Sequence, residues 1–101
     1  MKQFLIKYRR QNGSQEDWHG QIGKFIAAIE ADPALKGKIG YRCLKARDGA
    51  DYFHVATVYD EAGQAALQQK DWFQRYTAAT REVSGGTIEV VPLELVAATA
   101  G

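Results

Sequence analysis

The chain predicts an α+β domain of order β-α-β-β-α-β, a four-stranded antiparallel sheet with two helices on one face. Three observations lead there. Four short segments are rich in β-branched and aromatic residues, and side chains alternate along them. Two longer regions repeat their apolar residues at a helical period. Gly-, Asn-, Asp- and Pro-bearing turns punctuate the order.

Residues 3–10 form the first strand. Phe4, Ile6 and Tyr8 take one face, and Leu5, Lys7 and Arg9 take the other. Gln11-Asn12-Gly13 supplies a turn. Ser14 is suited to cap a helix, and Glu16 and Asp17 favour the positive end of its dipole. Trp18, Ile22, Phe25, Ile26 and Ile29 then line one helix face, until Asp32-Pro33 stops the helix. Residues 38–47 form the second strand, with Ile39, Tyr41 and Cys43 alternating against Gly40, Arg42 and Leu44. Asp48-Gly49 suits a hairpin loop. Residues 51–59 form the third strand. Tyr52, His54, Ala56 and Val58 face one way, Phe53, Val55, Thr57 and Tyr59 the other, so both sides call for cover. Asp60 caps a second helical region made of two pieces. Ala62, Ala65, Ala66 and Leu67 belong to the first; Asp71 caps the second, where Trp72, Tyr76 and Val83 recur at helical spacing. Ser84-Gly85-Gly86 ends it. Residues 87–96 form the last strand, which Pro92 places at an edge or a bulge. The plan is ferredoxin-like, in a single domain spanning 1–101 with a flexible tail over 97–101.

With 101 residues, 46% hydrophobic and 25% charged, the composition is that of an ordinary globular domain. A net charge of +1, with no basic stretch interleaved with aromatics, excludes a dedicated nucleic-acid binder. No segment approaches the ~20 apolar residues that span a bilayer, so no membrane partner is expected. Phe4, Leu5 and Ile6 are too few for a signal-peptide core. The single cysteine, Cys43, excludes an intrachain disulfide and a multi-thiolate metal site. The expected compartment is the cytoplasm. The near-neutral total hides an asymmetry: residues 1–47 hold ten Lys/Arg and four Asp/Glu, residues 48–101 three and eight. Charge pairing between neighbouring strands of the two halves is the expected reason, with an anion-binding basic edge as the alternative.

A chain this short buries only about two thirds of its unfolded surface. Both helices occupy one face of the sheet, and nothing remains to cover apolar residues on the other. A homodimer packing sheet against sheet would supply that cover.

The element order resembles the dimeric α+β barrel superfamily, and within it the antibiotic-biosynthesis monooxygenase (ABM) domains. So does the segment Tyr52-Phe53-His54-Val55-Ala56-Thr57-Val58-Tyr59-Asp60-Glu61-Ala62, followed by Asp71-Trp72-Phe73, Tyr76 and a Val/Leu-rich strand. The resemblance covers nearly the whole chain. It implies a homodimer whose sheets form a barrel, a pocket in each subunit between helices and sheet, and cofactor-independent oxygenation of phenols or quinols. The haem-degrading branch of that family carries a helix Trp, a His about ten residues later and an Asn on the first strand. Trp72 matches the first, but Glu82 stands where the His would be and Asn12 lies in a turn. Haem degradation is therefore not implied. In quinone-forming members Trp, Asn, Tyr and Arg surround the substrate; Trp72 and Tyr76 match, and no Asn lies near Trp72.

His54 is the candidate catalytic base. A histidine of near-neutral pKa can take a phenol proton, and small Ala56 leaves room beside it. Packing in the sheet or a subunit contact is the competing role. Trp72, Phe73 and Tyr76 would wall a pocket for a small planar aromatic ligand, with the Tyr76 hydroxyl as polar handle. Tyr52 and Trp18 join that set from the third strand and first helix, Arg42 could orient an anionic group, and His19 sits beside Trp18. Gly20 and Gly23 in the same helix suggest a close approach or space for a ligand. Two histidines without a carboxylate cluster make no metal site, and no cofactor is expected. The expected function is cofactor-independent monooxygenation of a small phenolic, quinol or polycyclic aromatic substrate. The alternatives are a non-catalytic ligand-binding or regulatory dimer, and an isomerase or lyase in which His54 takes a carbon-bound proton.

Overall fold

The computed structural model describes residues 1–101. Its elements are β1 (Lys2–Arg9), α1 (Gln15–Ala31), β2 (Ile39–Lys45), β3 (Asp51–Val58), α2 (Glu61–Gln68), α3 (Asp71–Val83) and β4 (Ile88–Leu93). The four strands form one sheet in the order β2-β3-β1-β4, with every neighbouring pair antiparallel. The two pieces of the second helical region are separate helices, so three helices cover the sheet. They part at Gln69–Lys70, where Lys70 is extended (φ −76°, ψ 131°).

Local chemistry sets most boundaries. The Ser14 hydroxyl accepts from the Asp17 N–H at 3.1 Å and the Asp60 carboxylate from the Ala62 N–H at 2.8 Å, each satisfying an orphan donor of a first turn. Asp71 differs from expectation: Lys70 occupies the cap position without a side-chain bond, and Asp71 is the first helical residue. Its charge there still favours the dipole. The last strand stops at Leu93 rather than residue 96, and residues 94–101 have no regular structure. β4 pairs with β1 alone, so the Pro92 that cannot donate sits on an edge strand, opposite Phe4.

Register decides which side chains meet. Tyr8 faces Tyr52, Ile6 faces His54 and Phe4 faces Ala56 across β1 and β3. Cys43 faces His54 and Tyr41 faces Ala56 across β2 and β3. These residues share the helix-covered face, where Trp18, Ile22, Phe25 and Ile29 of α1 and Tyr76 and Val83 of α3 complete the core. α2 packs close to the start of β2: a Cβ on Gly63 would lie 2.6 Å from Cβ of Lys38, so only glycine fits without a shift. Gly20 and Gly23 correct the expectation made for them. Both are exposed, and a Cβ at either would meet nothing within 4 Å.

The other face carries Leu5, Phe53, Val55 and Val91, all half-buried, beside Leu44 at 51% exposed. Ion pairs join the basic first half to the acidic second half: Lys2–Glu61 at 2.8 Å, Lys7–Glu89 at 3.7 Å and Arg9–Asp51 at 3.6 Å. All are solvated, so each contributes at most about 1 kcal/mol. No helix is long and apolar enough to cross a membrane.

Candidate functional site

A cavity of about 570 Å³ lies between the sheet and helices α2 and α3. Phe4, Ile6, Ala56, Val58, Ile88 and Val90 give it an apolar floor, because β1, β3 and β4 place small or aliphatic residues side by side there. Phe73, Tyr76, Thr77 and Thr80 form one wall, at the i, i+3, i+4, i+7 spacing of a single helix face. Gln64, Gln68 and Arg81 add polar groups. Tyr41 and Phe25 close the opposite end, where Phe25 stacks on Tyr76 with ring centroids 3.8 Å apart.

Behind Tyr41 and Tyr76 lies a buried hydrogen-bond chain. Trp18 Nε1 donates to the Tyr8 hydroxyl at 2.7 Å. That hydroxyl is 2.7 Å from His54 Nε2. His54 Nδ1 is 2.5 Å from the Tyr41 hydroxyl, which in turn lies 3.0 Å from the Tyr76 hydroxyl. Five elements contribute: Trp18 from α1, Tyr8 from β1, Tyr41 from β2, His54 from β3 and Tyr76 from α3. Buried tyrosine and tryptophan polar groups need partners, and here they find one another.

The electrostatics keep this chain neutral. His54 is fully buried without a carboxylate at either nitrogen, and desolvation pushes its pKa down from 6.5 to about 4. Burial pushes the phenols of Tyr8, Tyr41 and Tyr76 up, so all three remain hydroxyls. Cys43 is half-buried beside them, and desolvation pushes its thiol up to about 12, leaving an unreactive side chain. No three His, Cys, Asp or Glu side chains converge as a metal site.

Among the residues singled out from sequence, Phe73 and Tyr76 line the cavity. His54 corrects the picture of a base touching its ligand. Tyr41 and Tyr76 stand between it and the cavity, both ring nitrogens are engaged, and it is neutral well below pH 7 because nothing charged offsets its burial. Trp18 lies behind the cavity, stacked on Tyr76 with centroids 5.6 Å apart. Trp72, one residue off the cavity-facing stripe, meets Phe25 edge-on instead. Tyr52 is buried at the far end of the face, stacked on Tyr8, and its hydroxyl bonds exposed His19 at 2.9 Å. Arg42 is exposed on the opposite face of the sheet, since alternation along β2 sends it away from Tyr41 and Cys43. Tyr8 and Tyr41 were missed. The available signal was their place among inward-facing residues of β1 and β2, since a buried phenol needs a polar partner and His54 is the one inward-facing histidine.

The fold is shared with solved structures over nearly its whole length. SnoaB, a cofactor-independent oxygenase from Streptomyces nogalater, superimposes with a TM-score of 0.75 at 18% identity, covering 99% of this chain and 97% of its own. An antibiotic biosynthesis monooxygenase superimposes with a TM-score of 0.75 at 10% identity, over 96% of this chain and all of its own. A dimeric ferredoxin-like protein of unknown function from Jannaschia gives 0.67 at 17% identity, over 94% and 100%. No family model and no curated protein matches the sequence. The ferredoxin-like architecture of the ABM domains expected from the sequence is thus the architecture of this chain.

Proposed function

We propose that the chain is a cofactor-independent monooxygenase that takes a planar phenol or quinol into the cavity and works as a homodimer. The observation that carries this reading is an apolar cavity of about 570 Å³ lined by two tyrosines whose hydroxyls bond one another and are backed by a neutral, buried histidine. Apolar walls accept a fused aromatic ring system, and the hydroxyls hold its oxygen. The likeness in fold to a cofactor-independent oxygenase supports the same reading.

The chemistry needs no further reductant. The phenol loses its proton to water at the polar rim, where the Arg81 guanidinium favours the anion. The phenolate oxygen is held by the tyrosine hydroxyls, preorganised donors in a largely dry site. The phenolate gives one electron to dioxygen, and the resulting radicals combine to form a carbon–oxygen bond at a ring carbon bearing hydrogen. The O–O bond then breaks and that carbon loses its hydrogen. One oxygen atom stays as the new quinone carbonyl and the other leaves as water, so phenol and dioxygen give quinone and water.

A homodimer formed through the outer sheet face fits the half-buried Leu5, Phe53, Val55 and Val91 and the exposed Leu44. The dimeric ferredoxin-like relative of the same fold supports it.

An oxygen electrode tests the activity. Chelator-treated, flavin-free protein with 1-naphthol or anthrone should consume one dioxygen per quinone formed. Tyr76→Phe should lower kcat/KM by roughly tenfold or more, as loss of an oxyanion donor does. Binding without oxygen uptake would point instead to the ligand-binding dimer, and conversion without oxygen uptake to an isomerase.

A further inference from the structure

The hydrogen-bond chain has a direction, and one residue that does not line the cavity sets it. Indole Nε1–H can only donate, so Tyr8 oxygen must accept from Trp18. Tyr8 then has one hydrogen to give, and the polar atom beside it is His54 Nε2 at 2.7 Å. If Nε2 accepts that hydrogen, the neutral imidazole carries its proton on Nδ1 and donates it to Tyr41. Tyr41 and Tyr76 are 3.0 Å apart and share one hydrogen bond between them, which uses one of their two hydroxyl hydrogens. The other has only the weakly accepting Cys43 thiol beside it in the core, and both tyrosines line the cavity.

The opposite tautomer reverses this. With the proton on Nε2, Tyr8 oxygen would accept two N–H groups and its own hydrogen would have no partner inside the core, where Tyr8 is only 6% exposed. Nδ1 would then accept from Tyr41, Tyr41 from Tyr76, and no hydrogen would be offered to the cavity. Five donor hydrogens share four bonds in either arrangement; the first leaves the spare one on a cavity-lining tyrosine and the second leaves it on Tyr8, which does not line the cavity, so the first is selected.

We infer that Trp18, Tyr8 and His54 are positioning residues that polarise the chain outward, so that the Tyr41–Tyr76 pair presents a hydrogen-bond donor to the cavity and selects ligands bearing an acceptor oxygen, a carbonyl or phenolate. The inference rests on the cavity being the ligand site proposed above, and it deepens that reading. A quinone product and a phenolate reactant both satisfy the donor. A ligand without an oxygen acceptor leaves it unpaired.

Two measurements test this. The first needs no ligand: long-range ¹H–¹⁵N correlation spectra of the free protein at pH 7, with His19→Gln to leave His54 as the one histidine. The expected result is a protonated Nδ1 and a bare Nε2, and Tyr8→Phe should shift the population toward the Nε2–H form. A wild-type Nε2–H tautomer overturns the inference and leaves the oxygenase proposal standing. The second compares binding of 9-fluorenone and fluorene, two rings of one shape with and without the acceptor. Tyr41→Phe combined with Tyr76→Phe should weaken fluorenone roughly fivefold while leaving fluorene unchanged, the loss of one hydrogen bond. Trp18→Phe should lose part of the same preference. Equal losses for both ligands, or none, overturn the inference. The expected tautomer without oxygen uptake would sink the oxygenase reading and keep the polarity.

Discussion

The two ends of one sheet face have opposite fates. At one end Tyr8 and Tyr52 lie opposite each other in β1 and β3 and stack with centroids 5.2 Å apart, and Trp18 closes over them. Nothing is left open there. Four residues along β1 the same face pairs Phe4 with Ala56, β4 adds Val90, and the helices leave a cavity. His54 sits between the two ends, bonded to a tyrosine on each side. The strand alternation is the same at both ends; the side chains on it and the helices above it separate a packed core from a cavity. A site in so small a domain can therefore be made by shrinking one residue on a strand, provided the other end is filled well enough to hold the fold.

That contrast can be broken at its filled end with the largest effect. Tyr52→Ala removes a side chain that is 2% exposed and unstacks Tyr8, so it should cost about 3–5 kcal/mol in urea unfolding. An effect below about 1 kcal/mol would mean that this end is not the mainstay of the fold.

The boundary comes next. Burial holds His54 neutral down to about pH 4, whereas in the unfolded chain it takes a proton near pH 6.5. Between those values the unfolded state binds the extra proton. This contribution to stability is therefore fully present above pH 6.5 and is lost as pH falls toward 4, by on the order of 3 kcal/mol. Unfolding free energies measured across that window should show the slope, and His54→Gln should flatten it. The Asp32 carboxyl is held below its usual range by the Lys70 ammonium, so its contribution is present above the ordinary carboxylate range and is lost only as pH falls through it; that substitution leaves it untouched.

On the outer face, Val55→Asp puts a carboxylate between its cross-strand neighbours Leu5 and Arg42, in the middle of the half-buried apolar residues. The folded subunit should lose about 1 kcal/mol, in line with a half-buried site. If the proposed homodimer forms through this face, sedimentation should show the parent chain as a dimer and the variant as a monomer at micromolar concentration. A variant that sediments like the parent would remove this face from the assembly.

Much of this was legible in the residues. Alternation along 51–59 put Tyr52, His54, Ala56 and Val58 on one face, and the 3.6-residue stripe in α1 named Trp18, Ile22, Phe25 and Ile29, which are buried, and Ile26, which is half-buried. What the residues could not show was which strand lies beside which. Tyr8 and Tyr41 meet His54 because β3 runs between β1 and β2, and that order is a property of the whole sheet. Trp72 was misplaced for a related reason. Helical spacing links it to Tyr76, but the cavity faces the strip one residue on, through Phe73 and Thr77, and only the packed position of α3 settles that rotation. The asymmetry of charge was readable because Lys7–Glu89 and Arg9–Asp51 are cross-strand pairs.

Filling the open end should disturb the fold least and the function most. Ala56→Phe places a ring into existing space, so stability should change by less than about 1 kcal/mol. The decisive measurement follows from it: conversion of 1-naphthol under ¹⁸O₂ by the parent chain and by Ala56→Phe, both free of metal and flavin. A cofactor-independent oxygenase working in this cavity gives a quinone carrying one labelled oxygen from the parent chain and at least a tenfold slower reaction from the filled variant. An unlabelled product, or equal rates from the two proteins, would contradict it.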